Sequence, residues 1–248
     1  MNKNSADALE DDFDVVQVDK KDRKRKNISV TNSQSAKKQL KEPLDLASLN
    51  GNDQHYEWHE FMKRRVKDLT EIEIEQKLIP KENFTHVALP HCSKDLSLLE
   101  SFVTSAYADW LKMLRFDKTD VGKGEPRVVI LTSSAVRSVE IIRALPSINQ
   151  LCKIGKLFAK HFKVEDQVEH LKQSVVKVVV GTPSRMKKLV ELGALSFSHV
   201  DLIIVDVFRD LKERTIFDIP EVATELFSLL NEACRNEIIK NDTKITFY

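Results

Sequence analysis

The sequence predicts an α/β domain built on a single parallel sheet and preceded by a charged arm that does not fold by itself. Three observations carry this. Two β-branched runs, Val175–Gly181 and Val200–Asp206, are too short to be buried helices and are separated by an amphipathic spacer, the pattern of a β-α-β unit. Further runs of the same kind, Thr85–Leu89, Val128–Leu131 and Lys244–Tyr248, alternate with stretches of helical periodicity. Residues 1–55, by contrast, are rich in Lys, Asp, Ser and Asn and lack sustained apolar periodicity, so they cannot bury enough surface to order themselves.

A chain of 248 residues accommodates one such domain, expected over residues 56–248, together with the arm. A hydrophobic fraction of 42% supports a sizeable core, while 31% charged residues with a net charge of +1 argue against a uniformly basic nucleic-acid binder. Any nucleic-acid site is therefore local. Cys92, Cys152 and Cys234 are odd in number and outside Cys-x-x-Cys spacing, which suggests neither a disulfide framework nor a zinc site and fits a reducing compartment. No apolar run approaches the roughly 18 residues of a membrane span, and the N-terminus is acidic, so a soluble intracellular protein without membrane contact is expected.

The arm divides by charge. Asp7, Glu10, Asp11, Asp12, Asp14 and Asp19 make its start acidic; Lys20, Lys21, Arg23, Lys24, Arg25 and Lys26 then form a basic run. That run fits a nuclear-localisation cluster, could equally hold RNA phosphates, and has an ordinary solvated charge run as its plain alternative. Phe13–Val18 sets apolar residues among acids, either a small docking motif or a chance cluster.

From Tyr56, apolar residues recur at near-helical spacing, and Thr70-Glu-Ile-Glu73 signals the capping box of a second helix. Trp58 is read as core. Thr85–Leu89 is the expected first strand, a long helix is expected over Ser93–Arg115, and Val128–Leu131 is followed by Thr132-Ser133-Ser134 at a helix start. Those three residues either cap the helix or hold a phosphate. Leu151–Val164 is expected to be a helix with Lys153, Lys156, Lys160 and Lys163 in one stripe opposite Ile154, Leu157, Phe158 and Phe162. Such a stripe is either a phosphate track or a solvated face. His55 and His59 stand four apart by coincidence, and no metal-ligand set is expected.

In a parallel sheet the carboxyl ends of the strands form the ligand edge, which places Thr182, Pro183, Ser184, Arg185 and Asp206 there. These strands resemble the first RecA-like domain of DEAD-box RNA helicases. Gly181-Thr-Pro-Ser-Arg185 is similar to the Thr-Pro-Gly-Arg element that grips an RNA backbone, with Ser184 in place of glycine, and Asp206-Val-Phe-Arg209 is similar to the Asp-Glu-Ala-Asp box. Thr132–Ser134 occupy the position of the family's first RNA-contacting motif.

The likeness fails where ATP would bind. Pro90-His-Cys-Ser-Lys94 stands where a glycine-rich phosphate loop belongs and contains no glycine, and Val207 replaces the glutamate that orients water. No catalytic residue and no cofactor is therefore expected. Together with Lys156–Lys163 and Asp206–Arg214, these elements resemble the CMS-one family of DEAD-box-like proteins, associated with the nucleolar small-subunit processome. The resemblance implies a non-catalytic pseudo-helicase of nucleus and nucleolus, a monomer within a large ribonucleoprotein. Its implied partners are pre-ribosomal or small nucleolar RNA and processome proteins. The alternatives are a scaffold that binds protein alone and a residual ATPase.

Overall fold

The computed structural model describes residues 44–65, 69–87, 95–107 and 122–248. The basic run Lys20–Lys26, the Phe13–Val18 cluster, and Pro90 to Lys94 lie outside them. Five parallel strands, β1 (Val128–Leu131), β2 (Gly155–Leu157), β3 (Val178–Gly181), β4 (Leu202–Val205) and β5 (Lys244–Phe247), form one sheet in the order β2-β3-β1-β4-β5. Every residue of β1, β3 and β4 is buried, because helices cover both faces; this is why the strands read as continuous Val/Ile/Leu runs rather than alternating ones.

Alternation survives in the packing. Val129, Leu131, Val179, Ile203, Val205, Ile245 and Phe247 point into one core, while Val128, Ile130, Val178, Val180, Leu202 and Ile204 point into the other. The first core receives helices α1 (Gly51–Arg65) and α2 (Glu71–Lys77), and Trp58 lies wholly buried in it, edge-on to Phe217 and Phe227. The capping box expected at Thr70 and Glu73 is formed. The second core receives α3 (Leu99–Ala106), α4 (Ala135–Arg143) and α5 (Pro146–Leu151). Then follow α6 (Val164–Gln173), α7 (Pro183–Glu191), α8 (Pro220–Phe227) and α9 (Arg235–Lys240), the last two joined by a π-helical turn, Ser228–Ala233. The predicted β-α-β unit is present as β3-α7-β4, with β1 lying between its two strands.

Four expectations are corrected. No helix spans Leu151–Val164: α5 stops at Leu151, and β2 takes the middle of the segment. Ile154, Leu157 and Phe158 suit a helix face equally well, and tertiary packing decides, since a Cβ at Gly155 would press on Val176 and Val179. The expected strand Thr85–Leu89 contracts, within the described residues, to one parallel bridge between Phe84 and Ile245, with Thr85 N donating to Ile245 O at 2.8 Å. The helix expected from Ser93 is described from Leu99 to Ala106, after a 3-10 turn that Asp95 caps. Order also begins before residue 56. Leu46 and Ala47 are buried in a 3-10 turn capped by Asp45, and the buried Gln54 accepts from Phe247 N at 3.1 Å, so isolated apolar residues with no periodicity of their own dock beside α1.

Candidate functional site at the carboxyl edge of the sheet

Chain connections leave β1 toward β2 on one side and leave β4 toward β5 on the other, so the topological switch point lies between β1 and β4. That is where an open α/β sheet has its ligand crevice. Here the crevice is filled from within. Arg137, on the first turn of α4, reaches Asp206 at the end of β4, its Nε donating to Oδ2 at 2.9 Å and its Nη2 to Oδ1 at 3.0 Å. The two side chains are 6% and 1% exposed. The guanidinium also donates to Glu140 at 3.2 Å and lies 4.0 Å from the centroid of the Phe208 ring.

Burial pushes the Asp206 carboxyl up, against the pull of the guanidinium beside it. Burial, the strongest influence on Arg137, acts to lower its pKa, yet its hydrogen bonds and attraction to Asp206 and Glu140 leave it raised. The two responses oppose each other. Arginine does not release its proton in a folded protein, so the ionic pair is the state that holds near neutrality. Both carboxylate oxygens of Asp206 thus accept from Arg137 in the ionic pair. Val207, where that resemblance would want glutamate, is buried in the first core and pairs through its N–H with Tyr248 O at 2.8 Å.

The neighbouring part of the edge, at the end of β3, is open. Gly181 is required there: a Cβ would collide with Leu157 O of β2. Thr182 precedes α7 without capping it, Pro183 holds the first helical position and is buried, and Ser184 is exposed. Among the described residues neither the Thr182 nor the Ser184 hydroxyl has a partner. Arg185 behaves differently from the sequence expectation, because its Nη1 donates to Phe162 O at 3.0 Å and to Gln167 Oε1 at 2.7 Å. Gln167 in turn donates to Lys156 O at 2.7 Å, in β2, and to Phe158 O at 3.2 Å, just after it. This tie fixes the turn after β2, where His161 adopts a left-handed φ of 64°.

The remaining predicted residues separate. Thr132 is fully buried, its hydroxyl bonded to Ser138 Oγ, Ser134 O and Gly181 O, which removes it from any RNA-facing surface. Ser134 caps α4 by accepting from Arg137 N at 3.2 Å, while Ser133 faces the open edge. Lys153, Lys156, Lys160 and Lys163 are all exposed, but they fall before β2, within it, in its following turn and at the cap of α6 rather than on one helical stripe. Arg137, Gln167 and Phe208 escaped the sequence reading. The available signal was a buried aspartate at a strand end with no acidic neighbour, which calls for a cation nearby.

Between α7 and α8 the open edge deepens into a groove of about 960 Å³, floored by Ala159, Val164, Pro183, Pro220 and Val222. Lys187 of α7 meets Glu225 of α8 at 3.1 Å and fixes its width. After Asp206 the chain makes a tight knuckle in which Asp210 accepts from Arg214 Nη2 at 2.7 Å and from the Lys212 and Arg214 amides. The Arg214 guanidinium holds the Asp210 carboxyl down to about 2. Burial pushes the Cys152 thiol up to about 11 and the Cys234 thiol upward as well, so neither is a ready nucleophile at neutral pH.

These features define a parallel α/β module in which an Arg137–Asp206 pair sits at the switch point between β1 and β4 and the neighbouring edge at the end of β3 is open. The chain belongs to the CMS1 family, whose description is U3-containing 90S pre-ribosomal complex subunit and whose profile matches residues 4–248. Protein CMSS1 of Homo sapiens is 36% identical over 175 residues, which cover 68% of this chain and 60% of that protein. Protein CMSS1 of Xenopus laevis is 33% identical, covering 68% and 57%, so the match spans about three-fifths of these vertebrate relatives. Protein CMS1 of Chaetomium thermophilum is 29% identical and covers 92% of both chains. Solved structures that resemble the fold include a DEAD box protein from Methanococcus jannaschii, at TM-score 0.34 and 21% identity, covering 52% of this chain and 32% of that one. Another is S. cerevisiae dbp5 bound to nup159, gle1, IP6 and ADP, at TM-score 0.38 and 11% identity, covering 78% and 44%.

Proposed function

We propose that this protein is a non-catalytic pseudo-helicase that serves as an assembly factor in small-subunit ribosome biogenesis. It works in the nucleolus as a single copy within the 90S particle and holds pre-ribosomal or small nucleolar RNA on the open part of its sheet edge. The observation that supports the non-catalytic reading is the Arg137–Asp206 pair in the switch-point crevice, which engages the aspartate that the helicase resemblance would give to a magnesium ion. Family membership supports the assembly role. For RNA, the support is the exposed Lys153, Lys156, Lys160 and Lys163 around β2 together with the Thr182 and Ser184 hydroxyls at the start of α7. Arg185 contributes by holding the lysine-bearing turn in place rather than by gripping phosphate itself, and the basic run Lys20–Lys26 directs nuclear import.

The test pairs two titrations of the full chain. Fluorescent ATP with magnesium should show no saturable binding, and tight binding would restore the ATPase alternative. A single-stranded RNA probe should bind with a salt-dependent affinity that falls at least about tenfold in a Lys156→Glu/Lys160→Glu variant. Unchanged affinity would favour the scaffold that binds protein alone.

A further inference from the structure

We infer that His161, in the turn after β2, is a stacking platform for an unpaired base of single-stranded RNA. This deepens the RNA reading above, on which it rests, by adding a base contact to the phosphate contacts of the lysines. The backbone displays the ring in a fixed position. His161 holds a φ of 64°, a left-handed geometry uncommon outside glycine. Arg185 donates to Phe162 O on one side of it and Gln167 to Phe158 O on the other, and Phe162 N closes the bend onto Ala159 O at 3.4 Å. A ring held by so braced a turn loses little freedom when a ligand settles on it.

The ring is also unused. His161 is exposed, and among the described residues its imidazole makes no hydrogen bond, ion pair or ring contact. Neighbouring rings are engaged: Phe162 stands edge-on to Phe158 at 5.6 Å and packs against the second core, and Phe208 carries the Arg137 guanidinium. Charge then selects the ligand. Between residues 153 and 166 the exposed Lys153, Lys156, Lys160 and Lys163 face two acids, Glu165 and Asp166, so the excess is positive. Among the described residues Lys153, Lys156 and Lys163 form no ion pair that would spend it. A nucleotide joins a flat base to an anionic phosphate, and a ring flanked by cations matches both parts. An acidic peptide would use the cations and leave the ring idle.

The experiment titrates the full chain with single-stranded RNA of about a dozen nucleotides and with an abasic oligoribonucleotide of the same length. His161→Asn removes the ring but keeps a residue that tolerates the left-handed bend. It should weaken RNA binding about tenfold and leave binding to the abasic strand unchanged. Iodouridine-substituted RNA irradiated with the wild-type chain should crosslink at His161. Full RNA affinity in the variant, crosslinks confined to other residues, or an equal loss on both strands, which would reduce His161 to a positioner of the lysines, would each overturn the proposal. Lys156→Glu/Lys160→Glu should weaken both strands alike, and this separates the two readings. If it does so while His161→Asn changes nothing, RNA binding stands and stacking falls; a wild-type chain that binds neither strand removes both.

Discussion

Two arginines meet the same edge of the sheet and do different things there. Arg137 is sealed at the switch point against a carboxylate, in a bidentate pair shut off from water, whereas Arg185 is half-buried and donates to a carbonyl and an amide, both neutral. What separates them is desolvation. A charge pair taken out of water is costly to break, because the survivor is left buried without a partner, while a half-exposed arginine returned to water leaves only neutral acceptors behind. The first arrangement closes a site, and the second props one open.

The comparison is most severely tested at Arg137. Arg137→Ala should destabilise the fold by about 3–5 kcal/mol in urea titration, by stranding the Asp206 charge. The paired change Arg137→Met/Asp206→Leu should recover most of that loss. If the single variant costs no more than the double, the pair is not what fixes the crevice. Gly181→Ala should cost about 1–3 kcal/mol through overpacking against Leu157 O, with amide exchange accelerating in β2 ahead of β1 and β4. Arg185→Ala should cost about 1–2 kcal/mol, and its signature is local: faster exchange at residues 158–163 with the central strands unchanged. A uniform rise across the sheet would erase the distinction between the two arginines.

The smallest effect is acid sensitivity in the knuckle after β4. The Asp210 carboxyl is held below its unfolded value, so its bond to Arg214 adds stability above about pH 4 and loses it as pH falls through about 2. NMR of the Lys212 and Arg214 amides should report that local loosening over this window, and Asp210→Asn should abolish the titration.

The positions of β1, β3, β4 and β5 were legible because buried parallel strands are written as short β-branched runs, and β3-α7-β4 needed little else. The edge itself was half legible. Thr182, Pro183 and Ser184 lie where their strand-end position implied, whereas Thr132, although adjacent to a strand end, turns inward to bond Ser138 and Gly181 O. The lysines were located on the wrong element because Ile154, Leu157 and Phe158 satisfy a helical period and a strand-plus-turn equally, and only contact between Gly155 and β3 chooses between them. Arg137 was invisible for a deeper reason. Its partner lies 69 residues away, and nothing local marks an arginine that will be buried.

Gln167 has one more consequence. An outer strand exposes carbonyls that any extended chain can pair with. By occupying Lys156 O and Phe158 O with its own amide, Gln167 blunts that edge, so this sheet resists accretion of stray strands and leaves contact with its surroundings to side chains.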